Sequence, residues 1–201
     1  MAYDDAIARL CLTLEIGSLR EQLSGAAVTR KYRSGAPFDR VALIRAREAL
    51  EDLSRLPSFQ AGALRFNRAT LFSWLIFGVR LRRATRGKLD PETFDSFALL
   101  FAAMLEKRRE ARRTGGPLAE ESWPTGSLLD VYDDRATARV LDVTSVLLRD
   151  AVIAVLFDRA VGWPGGSIEE YSLARAGRSD GRIGQGVLYD IIDIPEWGDL
   201  S

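Results

Sequence analysis

Residues 134–161, which read DRATARVLDVTSVLLRDAVIAVLFDRAV, are predicted to form the centre of the fold. The first half has the pattern of an amphipathic helix, and its charged stripe consists of Arg135, Arg139, Asp142 and Arg149. The second half, Ala151–Phe157, is apolar on every face, which is typical of a helix that other helices surround. We therefore predict one long central helix that ends at Gly162.

A helical hairpin is predicted over residues 63–113. Its first arm, residues 63–86, ends at Gly87, and its second arm begins at Asp90, an N-cap residue that Pro91 follows. Apolar residues recur at helical spacing along the second arm: Phe94, Phe97, Ala98, Phe101, Met104 and Leu105. The hairpin and the central helix together indicate a mainly α protein.

The N-terminal part of the chain predicts two more helices around a basic loop. The first helix covers residues 4–16 and has Cys11 on its apolar face. Residues 25–37 read as the loop, because they combine basic residues with Gly and Pro. Asp39 is the predicted N-cap of the second helix, whose buried stripe is Ala42, Ala46, Leu50, Leu53 and Leu56.

The last part of the chain has a different character. Ser167 is predicted to cap a short helix that ends at Gly177, and Val187–Ile194 reads as a strand. Because one strand alone is not stable, this segment must pair within the tail, pair with another chain, or be helical instead. We therefore expect a helical domain over residues 1–164 and a C-terminal tail over 165–201. The expected fold class is mainly α, a bundle of five or six helices with a small irregular or β-containing tail.

The chain contains no histidine and a single cysteine, Cys11. These absences remove Ser-His-Asp and Cys-His catalytic groups, histidine metal ligands and intrachain disulfides. No catalytic residue, metal site or cofactor is predicted, and an enzyme is the less favoured class. No apolar run is long enough to span a membrane, and the acidic N-terminus lacks the pattern of a signal peptide. We expect a cytoplasmic protein that has no contact with membranes.

The net charge of zero conceals a segregation of charge along the sequence. Residues 30–113 carry 19 Lys and Arg against 9 Asp and Glu, whereas residues 114–201 carry 7 against 15. This asymmetry predicts either an anionic partner for the central segment or two halves that face each other.

Two basic clusters are the candidate nucleic-acid contacts, and each one finishes one arm of the hairpin. Antiparallel arms would separate the clusters by about 30 Å, so a bound strand would have to run along the hairpin. The alternative is that these cations complement helix dipoles and pair with the acidic half of the chain. The candidates are Arg80, Arg82, Arg83, Arg86, Lys88, Lys107, Arg108, Arg109, Arg112 and Arg113.

An acidic group, Asp130, Asp133 and Asp134, is the alternative centre of function. Clustered carboxylates can bind Mg²⁺ for phosphoryl chemistry without histidine, as a nuclease would require. The same residues also suit the start of a helix, where aspartates cap and complement the dipole. The helix-start interpretation is favoured.

Two further features have structural and functional interpretations. The glycine-rich segment Gly181–Gly186 could cradle a phosphate, but it lacks the Gly-Lys-Ser/Thr ending of a P-loop, and a turn is favoured. Trp123, Trp163 and Trp197 each lie beside Pro or Gly, and we expect them to lock loops onto the body rather than to mark a docking surface.

The hydrophobic pattern of Phe66–Arg113 followed by Arg139–Phe157 resembles the helical half of ParB-like restriction proteins. The likeness covers under half of the chain, and the acidic, glutamine-containing catalytic motif of those proteins is absent. The resemblance implies a phage-defence component whose catalytic part is on another chain, and it assigns no residue a role.

The sequence thus leaves three function classes open. The favoured class is a non-catalytic subunit or adaptor of a bacterial or phage assembly, with protein partners, whose residues 30–113 contact DNA or RNA. The second is a carboxylate- and metal-dependent enzyme centred on Asp130 and Asp133. The third is a phage-defence component or a purely structural interaction module.

Overall fold

The computed structural model describes residues 2–21, 24–64, 66–115, 125–137, 142–164, 166–168 and 185–201. Within these ranges the protein is mainly helical, as predicted, and no strand is present. The described α-helices number nine rather than five or six: α1 (Ala2–Ile16), α2 (Gly25–Arg33), α3 (Arg40–Ser54), α4 (Pro57–Gln60), α5 (Arg68–Ala84), α6 (Pro91–Thr114), α7 (Thr125–Thr137), α8 (Val143–Val161) and α9 (Gln185–Asp193).

Helix α8 is the central helix of the fold. All thirteen residues from Ser145 to Phe157 are buried, which confirms the prediction of a surrounded helix. The predicted start at residue 134 is wrong, because α7 ends at Thr137 and α8 begins after Asp142. The Asp142 carboxylate accepts hydrogen bonds from two backbone N–H groups of the first turn of α8, at 3.0 Å and 3.3 Å. Asp142 is therefore the N-cap of α8 and not an interior residue of a longer helix.

The hairpin arms are α5 and α6, and they meet through large aromatic side chains. The Trp74 ring lies 5.8 Å from that of Phe97 and 5.4 Å from that of Phe101, measured between centroids. Phe97 in turn lies 5.0 Å from Phe157 of α8. The first arm begins later than predicted because Asn67 caps α5, its side chain accepting hydrogen bonds from two backbone N–H groups.

A second layer consists of α1 and α3, which pack on α5 and on each other. The Asp39 cap of α3 is confirmed, with hydrogen bonds of 2.8 Å and 3.0 Å to the first turn. Cys11 is buried in this layer as expected, and burial raises the pKa of its thiol. The predicted basic loop over 25–37 is wrong for its first part, because Ser24 caps α2 and Val28 is buried.

The strand interpretation of Val187–Ile194 is wrong and its helical alternative is confirmed, because α9 occupies most of this segment. Leu188, Ile191 and Ile192 are buried while Tyr189 and Asp190 are exposed, which is the spacing of a helix and not the alternation of a strand. The only β-type feature in the described part of the chain is an isolated antiparallel bridge between residues 18 and 199.

The described end of the predicted tail packs against the body rather than standing apart. Helix α9 contacts α7 and α8, and a 3₁₀ turn over Pro195–Gly198 follows it. The backbone N–H of Leu200 donates to the carbonyl of Gly17 at 2.8 Å. The predicted capped helix from Ser167 to Gly177, the segment Gly181–Gly186 and Trp123 lie wholly or mostly outside the described residues.

Two of the connector tryptophans lock loops onto the body, as predicted. The ring of Trp163 lies 6.0 Å from that of Phe157 and 6.2 Å from that of Phe77. Trp197 is buried, and its ring lies 5.6 Å from the guanidinium carbon of Arg80. No helix in the described part of the chain is long and apolar enough to cross a membrane.

Two adjacent charged residues, Arg149 and Asp150, lie on α8 with no solvent exposure. Arg149 donates to the Ser73 hydroxyl at 2.8 Å and to the Arg135 carbonyl at 2.5 Å, and burial lowers its pKa to about 10. Asp150 forms an ion pair with Arg80 at 2.9 Å. Burial raises the pKa of the Asp150 carboxyl, and the charge of Arg80 opposes this shift without cancelling it.

We predict that Trp74→Ala lowers the free energy of unfolding by about 3–5 kcal/mol, because it removes the ring that joins α5 to α6. Urea unfolding followed by circular dichroism measures the loss. The control is Leu99→Ala on α6, whose side chain is 40% exposed and whose loss should stay near 0.5 kcal/mol. Equal losses for the two variants would contradict the aromatic packing.

We predict that Asp150→Asn gains stability relative to the unsubstituted protein as pH rises from about 4 to 7. The raised pKa means that the Asp150 carboxyl favours folding while it is protonated, and that this contribution is lost as pH rises through the native pKa. Urea unfolding at several pH values measures the difference between the two proteins. If rising pH instead made the unsubstituted protein increasingly more stable than Asp150→Asn, the attraction of Arg80 would outweigh the cost of burying the carboxylate charge.

Candidate nucleic-acid interface

Six of the ten basic residues predicted to contact nucleic acid form ion pairs within the chain: Arg80, Arg82, Arg108, Arg109, Arg112 and Arg113. The other four, Arg83, Arg86, Lys88 and Lys107, are exposed and form no ion pair with the described residues. The structure therefore divides the predicted site into a neutralised part and an open part.

Three of the neutralised arginines, Arg108, Arg109 and Arg112, join α6 to α7. Arg108 binds Asp130 in a bidentate manner, with distances of 2.9 Å and 2.5 Å, and Arg109 binds Asp133 at 2.6 Å. These hydrogen bonds raise the pKa of both guanidinium groups. Arg112 completes the network with weaker contacts of 3.5–3.8 Å to the same aspartates and to Asp134. The basic cluster of α6 and the acidic cluster of α7 thus neutralise each other.

This pairing bears on the metal-dependent alternative. Asp130 and Asp133 were its proposed centre, and both carboxylates accept hydrogen bonds from arginines. Among the residues that the structure describes, no group of three or more Asp, Glu, Cys or His side chains could hold a metal ion. The geometry of α7 therefore offers this alternative no support.

Three residues of the open part, Arg83, Arg86 and Lys88, lie where α5 ends beside the start of α3. These two helices run antiparallel, since Gly78 faces Ala49 while Arg83, later in α5, interacts with Arg45, earlier in α3. Arg82 pairs across them with Glu48 at 3.2 Å and with Asp52 at 2.8 Å. A cleft of about 470 Å³ opens between them. It is lined by Arg45, Glu48, Val79, Arg82, Arg83, Arg86, Gly87 and Ser201.

Further exposed cations lie at the same end of the molecule, which the sequence prediction treated only as a basic loop. Arg30 and Arg33 lie on α2, which is anchored to α1 by the 2.6 Å ion pair between Lys31 and Glu15. The backbone N–H of Asp39 also reaches Glu15, so the exposed Arg40 at the start of α3 lies close by. The run Thr29–Arg33 is the sequence signal for these cations, but the sequence analysis assigned it to a loop and did not include it among the candidate contacts.

We name this surface the basic end. It consists of basic residues that form no ion pair with any described residue: Arg30, Arg33, Arg40, Arg45, Arg83, Arg86 and Lys88. Lys107 on α6 is outside it. The predicted clusters therefore do not form two equivalent halves of one interface, because the first belongs to the basic end and most of the second pairs with α7.

The charges of the cleft interact with one another. Burial lowers the pKa of Arg45, and the neighbouring positive charge of Arg83 lowers it further. Asp199 is the carboxylate that opposes this shift most, and hydrogen bonds from Ser201 together with the charges of Arg83 and Arg80 lower its own pKa. Asp199 and Glu48 thus both interact with Arg45, and Asp199 also interacts with Arg83 and Arg80.

A second cavity of about 310 Å³ lies between α5, α6 and α7 and differs in chemistry. Its walls are mainly apolar, and they include Phe66, Trp74, Phe101 and Tyr132. Burial raises the pKa of the Tyr132 hydroxyl. Arg109, which is among its lining residues, is already paired with Asp133.

We predict that Asp130→Asn lowers the free energy of unfolding by about 1 kcal/mol at low salt and by less in 1 M NaCl, because its pairing with Arg108 is partly exposed and is screened by salt. Urea unfolding at both salt concentrations measures the effect. Glu110→Gln is the control, since its pair with Arg113 lies on the exposed surface of α6 and should contribute less. A gain in stability would instead indicate repelling carboxylates, as in an empty cation site.

Comparison of the chain with protein families, with curated proteins and with solved structures finds no match. The resemblance to ParB-like restriction proteins is therefore not shown. What the basic end can bind is inferred from its own side chains.

Proposed function

We propose that this protein is a non-catalytic helical subunit or adaptor of a larger bacterial or phage assembly, and that it contacts nucleic acid through the basic end. One observation carries the proposal. After the ion pairs of the described residues are taken into account, the exposed cations of the segment 30–113 collect mainly at one end of the molecule.

The division of the cations into paired and unpaired groups supports the basic end, rather than the two clusters predicted from sequence, as the contact surface. A guanidinium group that is already bound to a carboxylate must lose that partner before it neutralises a phosphate. Arg108 and Arg109 are in this position because Asp130 and Asp133 hold them. Arg30, Arg33 and Arg40 have no such partner among the described residues and need break no ion pair on binding.

An exposed aromatic ring favours a single strand over a duplex. Tyr32 is 63% exposed, and it lies on α2 between the exposed arginines at positions 30 and 33. Its ring packs edge-on against Phe38 with centroids 6.0 Å apart, which holds it in place at the surface. Proteins that bind single strands combine a cationic surface with aromatic rings on which bases stack.

A protein partner for the same end is a second candidate, and a separate observation favours it. Val41 and Ile44 on α3 are 61% and 46% exposed, and Leu43 between them is 44% exposed. Apolar side chains grouped with arginine and tyrosine are typical of the contact surfaces of assembly subunits. The adaptor function accommodates both partners.

The test is fluorescence anisotropy of a labelled single-stranded oligonucleotide over a series of salt concentrations. We predict salt-dependent binding that is weakened by Arg30→Gln/Arg33→Gln. The slope of log affinity against log salt should fall by about 0.7 for each phosphate that the variant no longer neutralises. Tyr32→Ala should weaken binding with little change in slope, because stacking releases no counterion.

The matched control is Arg55→Gln/Arg113→Gln, which removes the same charge from two exposed arginines outside the basic end. It should leave the affinity close to that of the unsubstituted protein. Absence of binding at low salt, or an equally large decrease in affinity for the control, would rule out the proposed contact. A duplex bound as tightly as the single strand would rule out the stacking role of Tyr32.

A further inference from the structure

The cleft of the basic end has the charge and the donors of an anion site. Among the arginines that line the cleft, Arg82 forms ion pairs with Glu48 and Asp52. Arg45, Arg83 and Arg86 form no ion pair with the described residues. Asp199 is the carboxylate that interacts with Arg83 and Arg45. The four arginines of the cleft face three carboxylates, those of Glu48, Asp52 and Asp199, so one positive charge remains uncompensated.

The backbone conformation at the end of α5 is a second and independent observation. Arg86 has φ of 53°, the left-handed region in which residues with a Cβ are disfavoured, and Gly87 follows with φ of 78°. Helices usually place Gly or Asn at this position, because it closes the helix without strain. Arg86 therefore occupies a place where glycine would suit the fold better, and it lines the cleft.

Arg45 is partly occupied but still able to bind. One of its Nη atoms donates to the carbonyl of Leu200 at 2.6 Å, which fixes the guanidinium at the wall of the cleft. A guanidinium group has five N–H donors, so others remain for an anion. Fixed donors lose less freedom on binding than mobile ones, which favours recognition over loose attraction.

We propose that Arg45, Arg83 and Arg86 form a binding site for a phosphate monoester. A phosphomonoester carries a charge of about −1.5 to −2 at pH 7 and three strong acceptor oxygens, so that each of the three arginines can donate to one oxygen. A phosphodiester has one non-bridging oxygen fewer and so cannot offer a separate acceptor to each of the three arginines. The cleft of about 470 Å³ has room for a nucleoside attached to the phosphate.

This inference rests on the proposed function, since it assigns the terminal phosphate of a strand or a free nucleotide to the same end of the molecule. The two sources share one chemistry. A 5′-phosphorylated oligonucleotide that binds several-fold more tightly than its 5′-hydroxyl form would identify the strand end, whereas equal affinities with tight binding of a nucleoside 5′-monophosphate would identify the free nucleotide.

The experiment titrates the full chain with inorganic phosphate and with a nucleoside 5′-monophosphate. Calorimetry measures the affinity and thermal unfolding measures Tm. NaCl of equal ionic strength is the control. We expect both probes to raise Tm, and Arg83→Gln and Arg86→Gly to weaken the affinity about tenfold or more. Lys107→Gln, which removes one unpaired charge outside the cleft, should bind as the unsubstituted protein does.

Arg86→Gly separates a binding role from a structural one. Without phosphate, its Tm should equal or exceed that of the unsubstituted protein, because glycine relieves the left-handed backbone. Unchanged affinity in Arg83→Gln and Arg86→Gly, or a response no larger than that to NaCl, would overturn the phosphate site and leave oligonucleotide binding unaffected. Phosphate binding without oligonucleotide binding would overturn the proposed nucleic-acid contact and keep the site.

Discussion

The adjacent buried charges of Arg149 and Asp150 are the constraint that organises this fold. Both lie on the central helix α8 without solvent exposure, so each requires polar partners from the helices around it. Arg149 is satisfied by a hydroxyl of α5 and a carbonyl of α7, and Asp150 is paired with Arg80 of α5. The position of α5 and α7 against α8 is therefore specified by directional contacts as well as by apolar packing.

The same requirement extends to the C-terminal segment. Arg80 also donates to the carbonyl of Trp197 and lies against its ring, and Arg20 donates to the carbonyl of Ile192 at 2.6 Å. Arg45 binds the Leu200 carbonyl in the same way. Three arginines from separate elements thus hold one chain segment by its carbonyl groups. Arginine suits this task because its several fixed donors can bind carbonyl groups while its charge pairs with a carboxylate.

The sequence predicted those elements whose signals are local. Asp39 and Asp90 were identified as N-caps, and the apolar run Ala151–Phe157 was identified as the core of the fold. The errors arose where local signals compete, as at Asp142, which fits both a helical stripe and a cap. The strand predicted at Val187–Ile194 followed β propensity, whereas burial against α7 and α8 selected the helical spacing of its apolar residues.

The candidate site could be predicted only in part, because charge pairing depends on contacts between distant residues. Nothing near Arg108 in the sequence shows that Asp130 will bind it, and the unpaired state of Arg83 likewise depends on which carboxylates reach it. A fold that neutralises most of its central arginines but leaves several together at one end retains their mutual repulsion. An anion that binds from outside would relieve that repulsion, so the arrangement of charges that the fold leaves open is also the one that an anionic partner would stabilise.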